Sequence, residues 1–304
     1  MDWHFEPVFG PSGAISEGPA WDGRHVNFTL IEKSLIMRFD PATGRCEEWA
    51  RDTGRTNGLA FDAAGNLFGC SVAHQAIVRF DAQGRLHIVA DRFDGKRLNT
   101  PNDLAIDSKG RIWFTNPWNG EITVPGQERE LPDEAVLRAD PGPDGRYTVH
   151  CVAADTSNPN GLLISPDERT LYVSQCDYGV DAVRELRAYP VDEAGRLGPY
   201  VVLHTFGKDH RGVHRAIDGM CFDAAGNIVA TAGWPVSGPG PLLYVFAPSG
   251  RVLETHPFPA SRPSNCVFGD ADMQSLYVTS GGKDGTNGQL FRVRTGRKGW
   301  SIFP

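Results

Sequence analysis

A chain of 304 residues, 40% hydrophobic and 22% charged, can form two average domains or one large all-β domain. Its net charge of −7 leaves no basic patch for nucleic acid and no polybasic membrane signal. No apolar run approaches the ~20 residues of a membrane span, and the opening MDWHFE lacks the positive and apolar regions of a signal peptide, so a cytoplasmic location is expected.

Taken in chain order, one phrase recurs: an apolar strand, a tight turn, a second apolar strand. It begins degenerately as GPAWDGRHV at 18–26, then reads GLAFDAAGNLF at 58–68 and DLAIDSKGRIW at 103–113. It returns as GLLISPDERTLY at 161–172, GMCFDAAGNIV at 219–229 and, degenerate again, CVFGDADMQSLY at 266–277. The Asp-x-x-Gly turns supply the positive φ that a short hairpin needs. Between copies lies a second repeated hairpin, as in IMRFDPATG at 36–44, IVRFDAQG at 77–84, VLRAD at 136–140 and LYVFAPSG at 243–250. Each unit therefore holds about four strands, and units starting at 17, 57, 102, 160, 218 and 265 are 40 to 58 residues apart. The pattern predicts an all-β chain, a six-bladed β-propeller with four antiparallel strands per blade, occupying residues 1–304 as one domain. A β-sandwich has no reason to repeat one hairpin phrase six times. The six cysteines form no CxxC pair, which excludes a zinc ribbon; Cys70, Cys176, Cys221 and Cys266 read as buried small hydrophobes in or beside strands.

The residue opening each repeat carries the functional argument: Glu17, Asn57, Asn102, Asn160, Asp218 and Asn265. The first strand of every propeller blade lines the central channel, so these side chains should ring one mouth of it. Amides can cap strand starts by bonding local backbone, which is an alternative for Asn57 and Asn265. It does not account for Glu17 and Asp218, whose burial is costly without a countercharge. A divalent cation is the economical answer. Oxygen donors without Cys or His suit Ca²⁺ first, then Mg²⁺ or Mn²⁺, with Zn²⁺ or Fe²⁺ held through the carboxylates as alternatives. The long segments 116–134, 176–184, 233–241, 281–288 and the connector 204–217 should gather over the same face, where loops build binding sites. Among them, Asn116, Asn119, Lys208 to Arg215 and Lys283 to Asn287 give that face a polar, hydroxyl-binding character.

Here the sequence resembles the senescence-marker-protein/gluconolactonase (regucalcin-like) family of six-bladed propellers. The carriers are SEGPAW at 16–21, KRLNTPND at 96–103, IWFTNP at 112–117, NPNGL at 158–162 and IDGM at 217–220. The likeness runs in order from about residue 15 to 295. It implies lactone hydrolysis, with Glu17, Asn160 and Asp218 as metal ligands and Asn102 binding substrate or completing the coordination. Two departures, Asn116-Pro117-Trp118 in place of a Thr-Asp-Pro-Pro run and Thr100 where regucalcin-like members carry Arg, fall at positions expected to touch substrate. They leave the lactone's identity open.

Lactone opening needs an electrophile on the carbonyl oxygen and an activated water. Asp218 is the candidate general base; alternatively it only ligates, and metal-bound hydroxide attacks. No Gly-x-Ser-x-Gly elbow offers a serine nucleophile. His74 is read as a substrate contact, and Trp118 as a sugar-stacking platform or a loop anchor. His210, Arg211, His214 and Arg215 could bind a carboxylate or sugar hydroxyls, or form a solvated loop. The expected partner is a small lactone, taken by a monomer or small homo-oligomer. A metal-dependent esterase or phosphotriesterase, or a non-catalytic calcium-binding propeller, are the competing readings.

Overall fold

The computed structural model describes residues 3–120, 122–281 and 287–302. Of the polar segment Lys283 to Asn287, positions 283–286 lie outside the described residues, as do Met1 and Asp2 of the N-terminal reading.

Six four-stranded antiparallel sheets form the six blades of a β-propeller, as the repeats require. Their inner strands are Ser16–Trp21, Thr56–Phe61, Leu104–Ile106, Pro159–Ile164, Met220–Phe222 and Pro263–Gly269. In blades 1 to 5 the strands follow outward in sequence order. Blade 6 takes its outermost strand from the chain's beginning: Glu6–Phe9 pairs with Gln289–Arg294, Glu6 opposite Arg292. The repeat phrase contains no hint of this. Closing the ring with a strand from the other end ties the first blade to the last and leaves no open edge between them.

The packing follows from the strand patterns. Second strands such as Val26–Leu30 and Ile228–Ala232 are buried at every position, because both faces meet neighbouring blades. Outermost strands such as Tyr147–Ala153 alternate, with one face toward water. Apolar side chains accordingly gather into six clusters, one at each blade–blade interface. Asp62 shows how the turns work: its Oδ1 accepts the N–H groups of Ala64 and Asn66 at 3.0 and 2.8 Å, and Gly65 supplies the positive φ. Asp223 and Gly226 repeat that geometry in blade 5.

Cys70, Cys176 and Cys266 are buried as expected, and Cys221 is half-buried with its Sγ 3.5 Å from that of Cys266. All six cysteines are free thiols. Among the described residues the only helical element is one 3-10 turn, Ile31–Lys33, and no helix is long and apolar enough to cross a membrane.

A belt of hydroxyls absent from the sequence reading fixes the inner strands to one another. Thr29 and Thr115 donate from second strands to the carbonyls of Asn57 and Asn160 in the next blade, at 3.1 and 2.8 Å. Ser174 and Thr231 do the same to Ile217 and Ser264 at 2.6 and 2.8 Å, and Ser264, on the inner strand of blade 6, donates to the Ser16 carbonyl of blade 1 at 2.7 Å. Removing one of these buried donors leaves a carbonyl unsatisfied, at about 1–3 kcal/mol. Thr115→Val, nearly isosteric, is therefore expected to lower stability by about that amount, read from the shift in urea midpoint. An unchanged midpoint would show that the belt does not bear on stability.

Candidate active site

Glu17, Asn57, Asn102, Asn160 and Asp218 line one pocket at a mouth of the central channel. They sit on five blades, and convergence at the axis explains the residues beside them. A Cβ on Gly161 would stand 2.3 Å from the Asp218 carbonyl, and one on Gly219 would overlap the Asn265 side chain. Only glycine allows the inner strands so close an approach.

The sixth predicted member is displaced. Asn265 lies one level deeper and lines the opposite, more apolar mouth, while Ser264 takes the place at the polar mouth. The hydrogen bonds fix this register. The Ser264 carbonyl accepts from Thr231 as the Asn160 carbonyl accepts from Thr115, and Asn265 N–H donates to Thr279 as Asp103 N–H donates to Thr115, both at 3.1 Å. Blade 6 thus opens one residue earlier than its degenerate repeat suggests. Asn265 Nδ2 lies 3.4 Å from Asp103 Oδ2, a contact joining blades 3 and 6.

The two acids have unequal surroundings. Glu17, 7% exposed, accepts one hydrogen bond, from Gly18 N–H at 2.8 Å, and has no ion-pair partner among the described residues. Burial first, then the charge of Asp218, push its carboxyl well above the ordinary range. Asp218 is also raised by burial, but Arg215 and the Asn160 side chain oppose this. The buried Arg215 guanidinium donates to Asp218 Oδ2 and, at 2.8 Å, to the Pro263 carbonyl. This corrects the expectation that only a cation could offset both acids: Asp218 carries its own countercharge, and Glu17 does not. Nothing in the spacing singles Arg215 out from His210, Arg211 and His214. His210 is exposed, Arg211 pairs with Asp209, and none of these three lines the pocket.

The donor set fits a hard cation. Asn57 Oδ1 is buried without a hydrogen-bond partner, and Asn57 and Glu17, whose carboxylate accepts a single hydrogen bond, line the same pocket wall. No three His, Cys, Asp or Glu side chains converge among the described residues, so an ion here would draw on amide oxygens as well as carboxylates.

Four predicted substrate contacts fall elsewhere. His74 sits within a tight turn closed by Gln75 N–H to the Val72 carbonyl; its Nδ1 meets Ser71 Oγ at 2.9 Å, and it borders a groove with Trp49 and Arg51. The turn is too short to reach the axis. Thr100 Oγ1 donates to the Pro117 carbonyl and accepts from Asn119 N–H, both at 2.8 Å, and Asn116 Oδ1 accepts from Asn99 N–H. Both are buried and shape the loop 116–134 rather than facing the pocket. Trp118 is half-buried and off the pocket wall; its neighbours Asn119 and Ile122 are on it. Arg55 holds that loop down through the carbonyls of Ile122 and Thr123, at 3.0 and 2.9 Å. The aromatic surface at the site is instead Tyr178, stacked on Trp234 with ring centroids 5.4 Å apart.

Comparison with known proteins agrees with the motifs. The SMP-30/Gluconolactonase/LRE-like region family matches residues 15–282. The chain is 30% identical to a gluconolactonase of Zymomonas mobilis, over 92% of this chain and 78% of that protein. It is 29% identical to a 6-deoxy-6-sulfogluconolactonase of Pseudomonas putida, over 88% and 83%. Among solved structures, a gluconolactonase from Xanthomonas campestris superposes with a TM-score of 0.77 at 31% identity, covering 96% of this chain and 89% of that one. With the fold, the channel-mouth motifs and nearly the full length in register, the chain belongs to the SMP-30/Gluconolactonase/LRE-like family.

Proposed function

We propose that the protein is a metal-dependent lactonase that opens a sugar lactone at the polar channel mouth. The observation carrying this reading is the meeting of Glu17, Asn160 and Asp218 in one pocket with the unpartnered side-chain oxygen of Asn57, within a family whose relatives are named as lactonases. Glu17, Asn160 and Asp218 would hold the cation, with Asn57 or Asn102 able to complete the set. When bound, a divalent cation supplies a Lewis acid for the carbonyl and lowers the pKa of water.

The chain's own groups do the rest. Asp218, held in orientation by Arg215, accepts a proton from the attacking water as the new carbon–oxygen bond forms. The ring carbon–oxygen bond then breaks as the ring oxygen takes up the proton held by Asp218 and leaves as an alcohol; the product is the open-chain hydroxy acid, with water's oxygen on its carboxyl, and the Asp218 carboxylate is restored. Asn102 and Asn119 offer amide donors to sugar hydroxyls, and the Tyr178 ring offers an apolar face for the sugar's C–H groups. A polar wall of amides favours a hydroxylated substrate over an aryl ester.

The test is hydrolysis of a panel of aldonolactones by chelator-stripped protein, with Ca²⁺, Mg²⁺, Mn²⁺, Zn²⁺ or Fe²⁺ returned one at a time. Turnover that vanishes on stripping and returns with a cation is expected. Absence of metal-dependent hydrolysis across the panel would remove the proposal.

A further inference from the structure

Arg262 stands at the rim of the pocket, just ahead of the inner strand of blade 6. It is half-buried, with its guanidinium carbon 5.8 Å from the centroid of Trp234. Among the described residues it makes no side-chain hydrogen bond and no ion pair. Other arginines of similar or greater burial are engaged: Arg38 with Asn27 and Asp22, Arg187 with Glu185, Arg292 with Asp270, Arg297 with Asp223 and Glu254. Arg262 is instead a cation facing a site, near enough to Asp218 for its charge to be felt there.

The charge balance of the pocket points the same way. Its wall carries two carboxylates, Glu17 and Asp218, and two guanidiniums, Arg215 and Arg262. Adding a divalent cation leaves a surplus of two positive charges, or one if Asp103 beneath the pocket is counted as ionised. A neutral lactone would leave that surplus uncompensated in a partly desolvated site. A substrate carrying its own negative charge would offset it, by one charge for a carboxylate or sulfonate and by up to two for a phosphate. The stacked Arg262, Trp234 and Tyr178 form a continuous wall, guanidinium at one end and exposed aromatic ring at the other. An anionic group on a sugar that rests against Tyr178 would find Arg262 along the same wall.

Resting on the lactonase reading above, we infer that the substrate is a lactone bearing an additional anionic group, a carboxylate, phosphate or sulfonate, and that Arg262 recognises it. Arginine suits this role because its planar fork can bind such groups through two parallel hydrogen bonds.

The experiment compares wild type, Arg262→Gln and Arg262→Lys, metal-loaded, on a neutral aldonolactone and on an aldarolactone of the same ring with a free terminal carboxylate. Wild type is expected to favour the charged lactone in kcat/KM by about tenfold or more, a preference that shrinks with added salt. Arg262→Gln should cut the ratio of charged to neutral kcat/KM by about 10- to 100-fold, mainly through KM, as expected for a lost charged hydrogen bond. Arg262→Lys should restore part of it. A second readout needs no turnover: the aldarate product should raise the Tm of metal-loaded wild type more than the aldonate does, and Arg262→Gln should abolish that difference. Equal use of the two lactones, or a variant that depresses both alike, overturns the charged-substrate inference while the lactonase reading stands. If no lactone is hydrolysed, the lactonase reading falls, and the Tm comparison alone decides whether Arg262 selects an anion.

Discussion

Asp218→Asn lowers kcat/KM for the preferred lactone by at least about 10³-fold while the far-UV circular dichroism of the propeller is retained. General-base groups contribute on the order of 10²–10⁴-fold, and loss of a metal ligand adds to that. The structure adds a stability term to this expectation. Asp218 is the charged partner of buried Arg215, and removing one member of such a pair is strongly destabilising in general. Two features moderate the loss here: Arg215 keeps the Pro263 carbonyl at 2.8 Å, and Glu17 is relieved of a neighbouring negative charge. The variant should therefore fold but melt lower than wild type. Stopped assays with matched melting curves separate the two effects. Activity within about tenfold of wild type, in a folded and metal-loaded variant, would exclude Asp218 both as base and as essential ligand.

The second large effect concerns Glu17 and pH. In metal-free protein, stability should fall as pH rises from about 4 toward neutrality. Buried Glu17 and Asp103 hold protons more tightly when folded than when unfolded. Their burial is therefore tolerated below the unfolded values and opposed as pH climbs through the folded ones. For Asp103 the window runs from 3.8 to about 7, with burial as the main cause. For Glu17 it opens at 4.5 and extends well above, through burial and then Asp218. A bound cation favours the ionised carboxylates and should flatten or reverse the decline. Glu17→Gln should make the metal-free protein melt higher than wild type at pH 7, by roughly 2–4 °C per kcal/mol relieved. It should also forfeit most of the Tm gain on adding cation, which measures affinity for the folded state. Melting curves from pH 5 to 8, with chelator or with Ca²⁺, read all of this. A pH-independent Tm in chelator, or an undiminished Ca²⁺ shift in Glu17→Gln, would contradict the placing of a cation on Glu17.

Most of the architecture was legible because a propeller repeats a local object. Each Asp-x-x-Gly turn between apolar strands is a self-contained hairpin, so counting phrases counted blades. The same logic placed Glu17, Asn57, Asn102, Asn160 and Asp218 at one mouth. It falters where the repeat is degenerate: in blade 6 Ser264 and Asn265 are adjacent polar residues, and only the interblade hydrogen bonds place the hydroxyl, not the amide, at the polar mouth. It also failed for side chains outside the inner strands. His74, Thr100, Asn116 and Trp118 were drawn toward the site by position after a second strand or by resemblance. Yet a short turn aims His74 into the groove between blades 1 and 2, and backbone hydrogen bonds absorb Thr100 and Asn116. The aromatic surface came from Tyr178 and Trp234, loop residues with no periodic signal.

The amino-acid sequence by itself determined the blade number, the turn chemistry, the polar ring and the family, because each is written in local spacing or contiguous motif. The tertiary structure alone decided three things: the strand Glu6–Phe9 completing blade 6, the hydroxyl belt between blades, and the pairing of Arg215 with Asp218 while Glu17 and Arg262 stay unpaired among the described residues. These depend on which groups meet across blade boundaries after ring closure. Contacts of that kind join residues far apart along the chain, and no local pattern encodes which charge will find a partner.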